Sequence, residues 1–147
     1  MSEPFNSQRN TPQPRTLSSG KELVRTFFEV YNTQDYSILY RCMANNYFDH
    51  SLPQVKSIED AITILKSTHQ AFPDIHVDIH DLIEENDQVV FRGRFSGTHQ
   101  GDFLGHSASG ARVAFEAIEI FKIRDQKIAE SWGYWPCGDI LSQILSN

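Results

Sequence analysis

Two spacings alternate along this chain, and together they lay out its elements. Leu23, Phe27 and Tyr31, with Val24 and Phe28 beside them, recur at helical spacing. Ser19 followed by Glu22 supplies a capping-box start, and Asn32-Thr33-Gln34 ends the run. A short second helix is predicted from about Tyr36 to Ala44, burying Ile38, Leu39 and Cys42 or Met43. Tyr47 to His50 reads as extended and leads into a turn at Pro53. Ser57 with Asp60 repeats the helix-start signal; Ile58, Ile62, Leu65, His69 and Phe72 then line one face until Phe72-Pro73-Asp74 breaks it.

From there the period drops to two. Ile75, Val77 and Ile79 alternate with His76, Asp78 and His80, the pattern of a half-buried strand. Glu85-Asn86-Asp87 is a hairpin turn into a strand over Val89–His99, and a glycine-rich loop runs on to Gly110. Strands over Val113–Arg124 and Lys127–Trp135 follow, joined at Asp125-Gln126, and Gly138 to Leu145 closes as a short apolar, helix-like segment. Helices followed by hairpins make an α+β pattern. The expected architecture is a cone-shaped α+β barrel: a strongly bent antiparallel sheet with three helices packed on its concave face and a pocket between the layers. Residues 1–17 hold three of the six prolines and little to bury, so a flexible tail precedes a domain over 18–147.

Strand alternation sorts the candidate chemistry, because successive side chains point to opposite faces. Phe91, Gly93, Phe95, Gly97 and His99 share the inward face of one strand. Val113, Phe115, Ala117, Glu119, Phe121 and Ile123 share that of the next, which sets a glutamate in an apolar row. Such a carboxylate needs partners, or its pKa rises until it is neutral. Ile128, Glu130, Trp132, Tyr134 and Pro136 share one side of the last strand, unless a bulge exchanges the faces beyond it. His99 suits an acid or base, but a backbone-bonded loop histidine fits equally. Glu119 suits a partner carboxylate or a structural ion pair, and Trp132 a ligand wall or plain core. His76 and His80 resemble a metal pair only in spacing; a solvated strand face is the simpler reading.

Composition narrows the classes. The 147 residues carry a formal net charge of −6, with Lys and Arg scattered singly, which gives no nucleic-acid footprint. No apolar run has the length of a membrane span, and the first residues lack a secretory apolar region, so a cytoplasmic location is the default. The two cysteines, Cys42 and Cys137, lie far apart without CxxC spacing and read as reduced thiols.

The residues also resemble a known family. His50, the run Ala71-Phe72-Pro73-Asp74-Ile75, Asp87 to Arg92, Gly97-Thr98-His99-Gln100-Gly101-Asp102-Phe103 with Gly105, and Lys127-Ile128-Ala129-Glu130-Ser131-Trp132 resemble the SnoaL-like polyketide (ester) cyclases. These belong to the nuclear-transport-factor-like superfamily. The resemblance spans roughly residues 20–145 and implies a cone-shaped α+β barrel that closes rings by aldol condensation without metal or cofactor. It further implies an aspartate acid/base four residues after the tryptophan of the ExW run. Here that position is Pro136, and the family's glycine before the last strand is replaced by Gln126.

Two functional readings stay open at this stage. One is a cofactor-free cyclase or isomerase acting on a small, mostly apolar carbonyl compound. His99 and Glu119 are then the catalytic pair, with His50, Phe95, Trp132, Tyr134 and Pro136 around the ligand. The other is a non-catalytic ligand-binding or structural protein of the same fold. Either is expected to be a homodimer through the outer sheet face, where Ile118 and Ile120 sit, with no nucleic-acid or membrane partner.

Overall fold

The computed structural model describes residues 19–146; the predicted tail over 1–17 lies outside them. Helix α1 (Gly20–Thr33) begins at the capping box: Ser19 Oγ accepts from the Glu22 N–H, and the Glu22 carboxylate accepts from the Ser19 N–H. That exchange satisfies two of the groups that a helix start would otherwise leave unpaired. A 3-10 turn (Tyr36–Ile38) capped by Asp35 leads into a single helical turn, α2 (Leu39–Cys42). The chain then extends as β1 (Met43–Asp49), which begins where the sequence reading still had helix. Helix α3 (Ile58–Ala71) starts with Ser57 Oγ accepting from the Asp60 N–H. Strands β2 (His76–Glu85), β3 (Gln88–Thr98), β4 (Arg112–Arg124) and β5 (Lys127–Tyr134) follow, and α4 (Cys137–Leu145) closes the chain.

The five strands form one curved sheet in the order β1-β5-β4-β3-β2. β2 through β5 are an antiparallel meander, as the hairpin signals predict. β1 departs from the all-antiparallel expectation by pairing parallel with β5, with Phe48 opposite Glu130 and Asp49 opposite Ser131. Its middle residues, Asn45 and Asn46, are exposed, so no apolar alternation announces it. A crossover through α3 and the whole meander separates the two partners in sequence.

Between helix and sheet lies an aromatic core. Phe28 of α1 stacks on Phe91 of β3 with ring centroids 3.8 Å apart, and Phe95 stacks on Phe115 across β3 and β4 at 5.3 Å. Phe28, Phe91, Phe95 and Phe121 are fully buried. Removing one such ring typically costs about 3–5 kcal/mol. Gly93 makes the Phe91 position possible, because a Cβ there would lie 2.4 Å from that ring.

Within the antiparallel meander two strands carry an extra residue. On β2, Ile79 pairs with Gly93 but Asp81 pairs with Arg92, leaving His80 unmatched. On β5, Ile128 pairs with Ile123 and Glu130 with Lys122, leaving Ala129 unmatched. A bulge reverses inside and outside for every residue beyond it. The β5 bulge decides which side chains meet the ligand space.

Candidate functional site

A cavity of about 400 Å³ opens between α1, α3 and the inner face of β1, β5 and β4. Phe27 and Tyr31 of α1, Ile64 and Leu65 of α3, Phe103 and Leu104 of the loop after β3, and Trp135 make its apolar walls. Its polar groups include Tyr47 and Asp49 of β1, Ser51, Thr68, Glu119 of β4, the Tyr31 hydroxyl and the Cys137 thiol. Among the described residues, no lysine, arginine or histidine lines it.

Glu119 sits where the β4 alternation predicts, on the inner face between buried Ala117 and Phe121. Its Oε2 accepts from the Trp135 indole N–H at 3.3 Å. Burial, and then the nearby Asp49 charge, push its carboxyl up from 4.5 to about 8, while the indole N–H pulls weakly the other way. At neutral pH the group is therefore a protonated acid facing an apolar space, a state proteins use to donate a hydrogen bond.

Asp49 ends β1. Its Oδ1 accepts from the Ser51 N–H at 2.8 Å. Burial raises its carboxyl, and the Ser51 and Leu52 N–H groups and His50 bring it part of the way back. Ser51 ties this corner to β5: its Oγ donates to the Gly133 carbonyl at 2.9 Å and accepts from the Gly133 N–H at 2.6 Å. Tyr47 and Ser131 join their hydroxyls in a buried hydrogen bond. Burial holds the Tyr31 and Tyr47 phenols well above their ordinary range, so both stay protonated.

The sequence-predicted site residues scatter. Glu119 lines the cavity. His99 points inward and is fully buried, but it anchors the loop rather than the cavity. Its Nδ1 accepts from the Ser109 N–H at 3.1 Å, which leaves Nε2–H to donate to the His106 carbonyl at 3.1 Å. Phe95 is buried one layer behind, with its ring centroid 4.9 Å from that of Trp135. His50 and Trp132 stack face to face at 4.4 Å, and His50 bonds Glu130 at 2.8 Å, apart from the cavity lining. Tyr134 is 60% exposed. Pro136 precedes α4 and lines a shallow groove with Glu116, Ala117, Ile118 and Tyr134. The reason is the bulge at Ala129: past it, Ser131, Gly133 and Trp135 take the inner face in place of Trp132 and Tyr134.

Sequence reasoning missed Asp49, Tyr47 and Trp135. Asp49 and Tyr47 stand on a strand whose pairing is visible only in three dimensions. For Trp135, the available signal is Ile128-Ala129, two adjacent buried apolar residues in an otherwise alternating strand.

Comparison with known proteins places the chain by family and fold. The family profile of SnoaL-like polyketide cyclases matches residues 21–144. TsrD from Streptomyces laurentii is 30% identical over 84% of this chain and 92% of its own, with a TM-score of 0.80. A SnoaL-like polyketide cyclase from Agrobacterium tumefaciens is 17% identical over 86% and 98%, with a TM-score of 0.75. Wild-type IdmH from Streptomyces antibioticus is 21% identical over 86% and 99%, with a TM-score of 0.76. The last two, at such identity, share the fold alone. No curated protein sequence matches the chain.

Proposed function

The chain belongs to the SnoaL-like polyketide cyclase family, and within that family we propose that it binds a small, mostly apolar carbonyl compound and acts on it by acid/base chemistry. One observation carries this reading: Glu119 presents its carboxyl to a mostly apolar cavity of about 400 Å³ in which, among the described residues, no lysine, arginine or histidine neutralises it. A buried carboxylate kept ionised for structure would be paired with a cation. A carboxyl kept neutral beside an apolar ligand space is instead ready to donate a proton to a carbonyl oxygen. The volume suits a ligand of one or a few rings.

Pro136, where the family resemblance places the acid/base aspartate, cannot take that role. Glu119 supplies an acid within the cavity by another route. The same proline supports a second reading, a ligand carrier that has given up catalysis.

The test of binding uses 2-naphthol, a flat aromatic hydroxyl compound, followed through tryptophan fluorescence. Trp135 lines the cavity and Trp132 does not. Saturable quenching that disappears in Trp135→Phe supports the reading. No quenching at millimolar 2-naphthol overturns it for both the enzyme and the carrier.

A further inference from the structure

Resting on that reading, we infer that Asp49 is the base that works opposite Glu119, and that the two carboxyls together transfer a proton from carbon to oxygen in an uncharged ketone.

The sheet register places them. Asp49 pairs with Ser131 on one edge of β5, and Glu119 pairs with Gly133 on the other. Ser131 and Gly133 are two residues apart on the same strand, so both carboxyls project from one face of the sheet. Their strands stand two hydrogen-bonded spacings apart, about 10 Å across. Both line the cavity. The Glu119 side chain leans over Gly133, its carboxyl 3.5 Å from where a Cβ there would stand, towards the strand edge that carries Asp49, so a flat ligand in the cavity is met by both carboxyls along one wall.

The two groups differ in what holds their charge. Asp49 has the Ser51 and Leu52 amides and His50 beside it, whereas Glu119 has a single indole N–H. When two carboxyls repel, the one with more donors ionises first and the proton stays on the other. The resting pair is thus Asp49 carboxylate with Glu119 acid.

The step balances without further groups. Asp49 takes the hydrogen from the carbon next to the carbonyl, and that C–H electron pair becomes the C=C bond. The carbonyl oxygen takes the Glu119 proton as the C=O π bond opens. The product is an enol, with Asp49 now protonated and Glu119 ionised. The cavity holds one negative charge before and after, which suits a lining that has no lysine, arginine or histidine among the described residues. The same lining argues against an anionic substrate: a carboxylate or phosphate would meet the Asp49 charge with no partner. The substrate class is accordingly a neutral ketone with a hydrogen on the adjacent carbon.

The experiment follows 2-tetralone in D₂O with the full chain, reading loss of the C1 hydrogen signal by proton NMR; 2-naphthol, which has the shape of the enol, reports binding in parallel. Wild type should exchange faster than buffer. Asp49→Asn should lose exchange by about 10²–10⁴-fold while still binding 2-naphthol, and Asp49→Glu should recover part of the rate. Exchange at the wild-type rate in Asp49→Asn overturns the assignment of the base and leaves the acid role of Glu119 standing. Wild type that binds 2-naphthol without exchanging 2-tetralone also overturns it, in favour of the carrier. Retained 2-naphthol binding shows that each variant is folded.

Discussion

Replacing Glu119 with glutamine should make the protein more stable, and increasingly so as pH rises. The carboxyl moves from 4.5 to about 8 on folding because burial and the Asp49 charge disfavour its ionised form. A folded pKa above the unfolded one means that the folded state binds the extra proton. Stability from this group is therefore full below pH 4.5 and is lost as pH climbs towards about 8. The shift corresponds to about 5 kcal/mol at most, and solvent reaching Glu119 through the cavity reduces it to about 2–4 kcal/mol. Glutamine keeps the shape and cannot ionise. Urea unfolding of wild type and Glu119→Gln at pH 5, 7 and 8.5 isolates the effect, because every other titration is common to both proteins. The groups facing Glu119 are Asp49, Tyr31, Tyr47 and Trp135. The variant should nearly match wild type at pH 5 and exceed it by about 2–4 kcal/mol at pH 8.5. Parallel curves, or a constant loss at all three pH values, would refute the burial argument.

Four further outcomes are expected. Tyr47→Phe leaves the buried Ser131 hydroxyl without its partner and should cost about 1–3 kcal/mol, partly recovered by adding Ser131→Ala; additive losses in the double-mutant cycle would disprove the pairing. His99→Ala unties the loop at Ser109 and His106, so hydrogen exchange should accelerate across residues 100–110 while 2-naphthol binding persists in weakened form; an unchanged exchange pattern refutes the anchoring role. Gln126 holds a left-handed φ of 64°, so Gln126→Gly should raise the urea midpoint by up to about 1 kcal/mol equivalent, and a lower midpoint would contradict the strain. We also propose a homodimer through the outer sheet face, where Ile118 is 43% exposed beside Tyr134; sedimentation at micromolar concentration should give a dimer, and a monomer would reject the proposal.

Much of this protein was legible from local patterns. The capping box of α1 and the Ser57 N-cap of α3, the helical stripes of both, and the alternation through β3 and β4 depend on residues a few positions apart, where propensity and periodicity operate. Glu119 was found that way, as a polar residue in an apolar row. His99 was correctly turned inward but belongs to a loop, because alternation gives a direction and says nothing of what waits there. The tertiary structure alone decided the rest of the site. β1 acquires its place by pairing with β5, some eighty residues later, so Asp49 and Tyr47 enter the cavity through hydrogen bonds that leave no local trace. The bulge at Ala129 turns Trp135 inward and Trp132 away. A strand's period is two, so one unmatched residue reverses every assignment after it, and only the partner strand's register shows that the residue is unmatched.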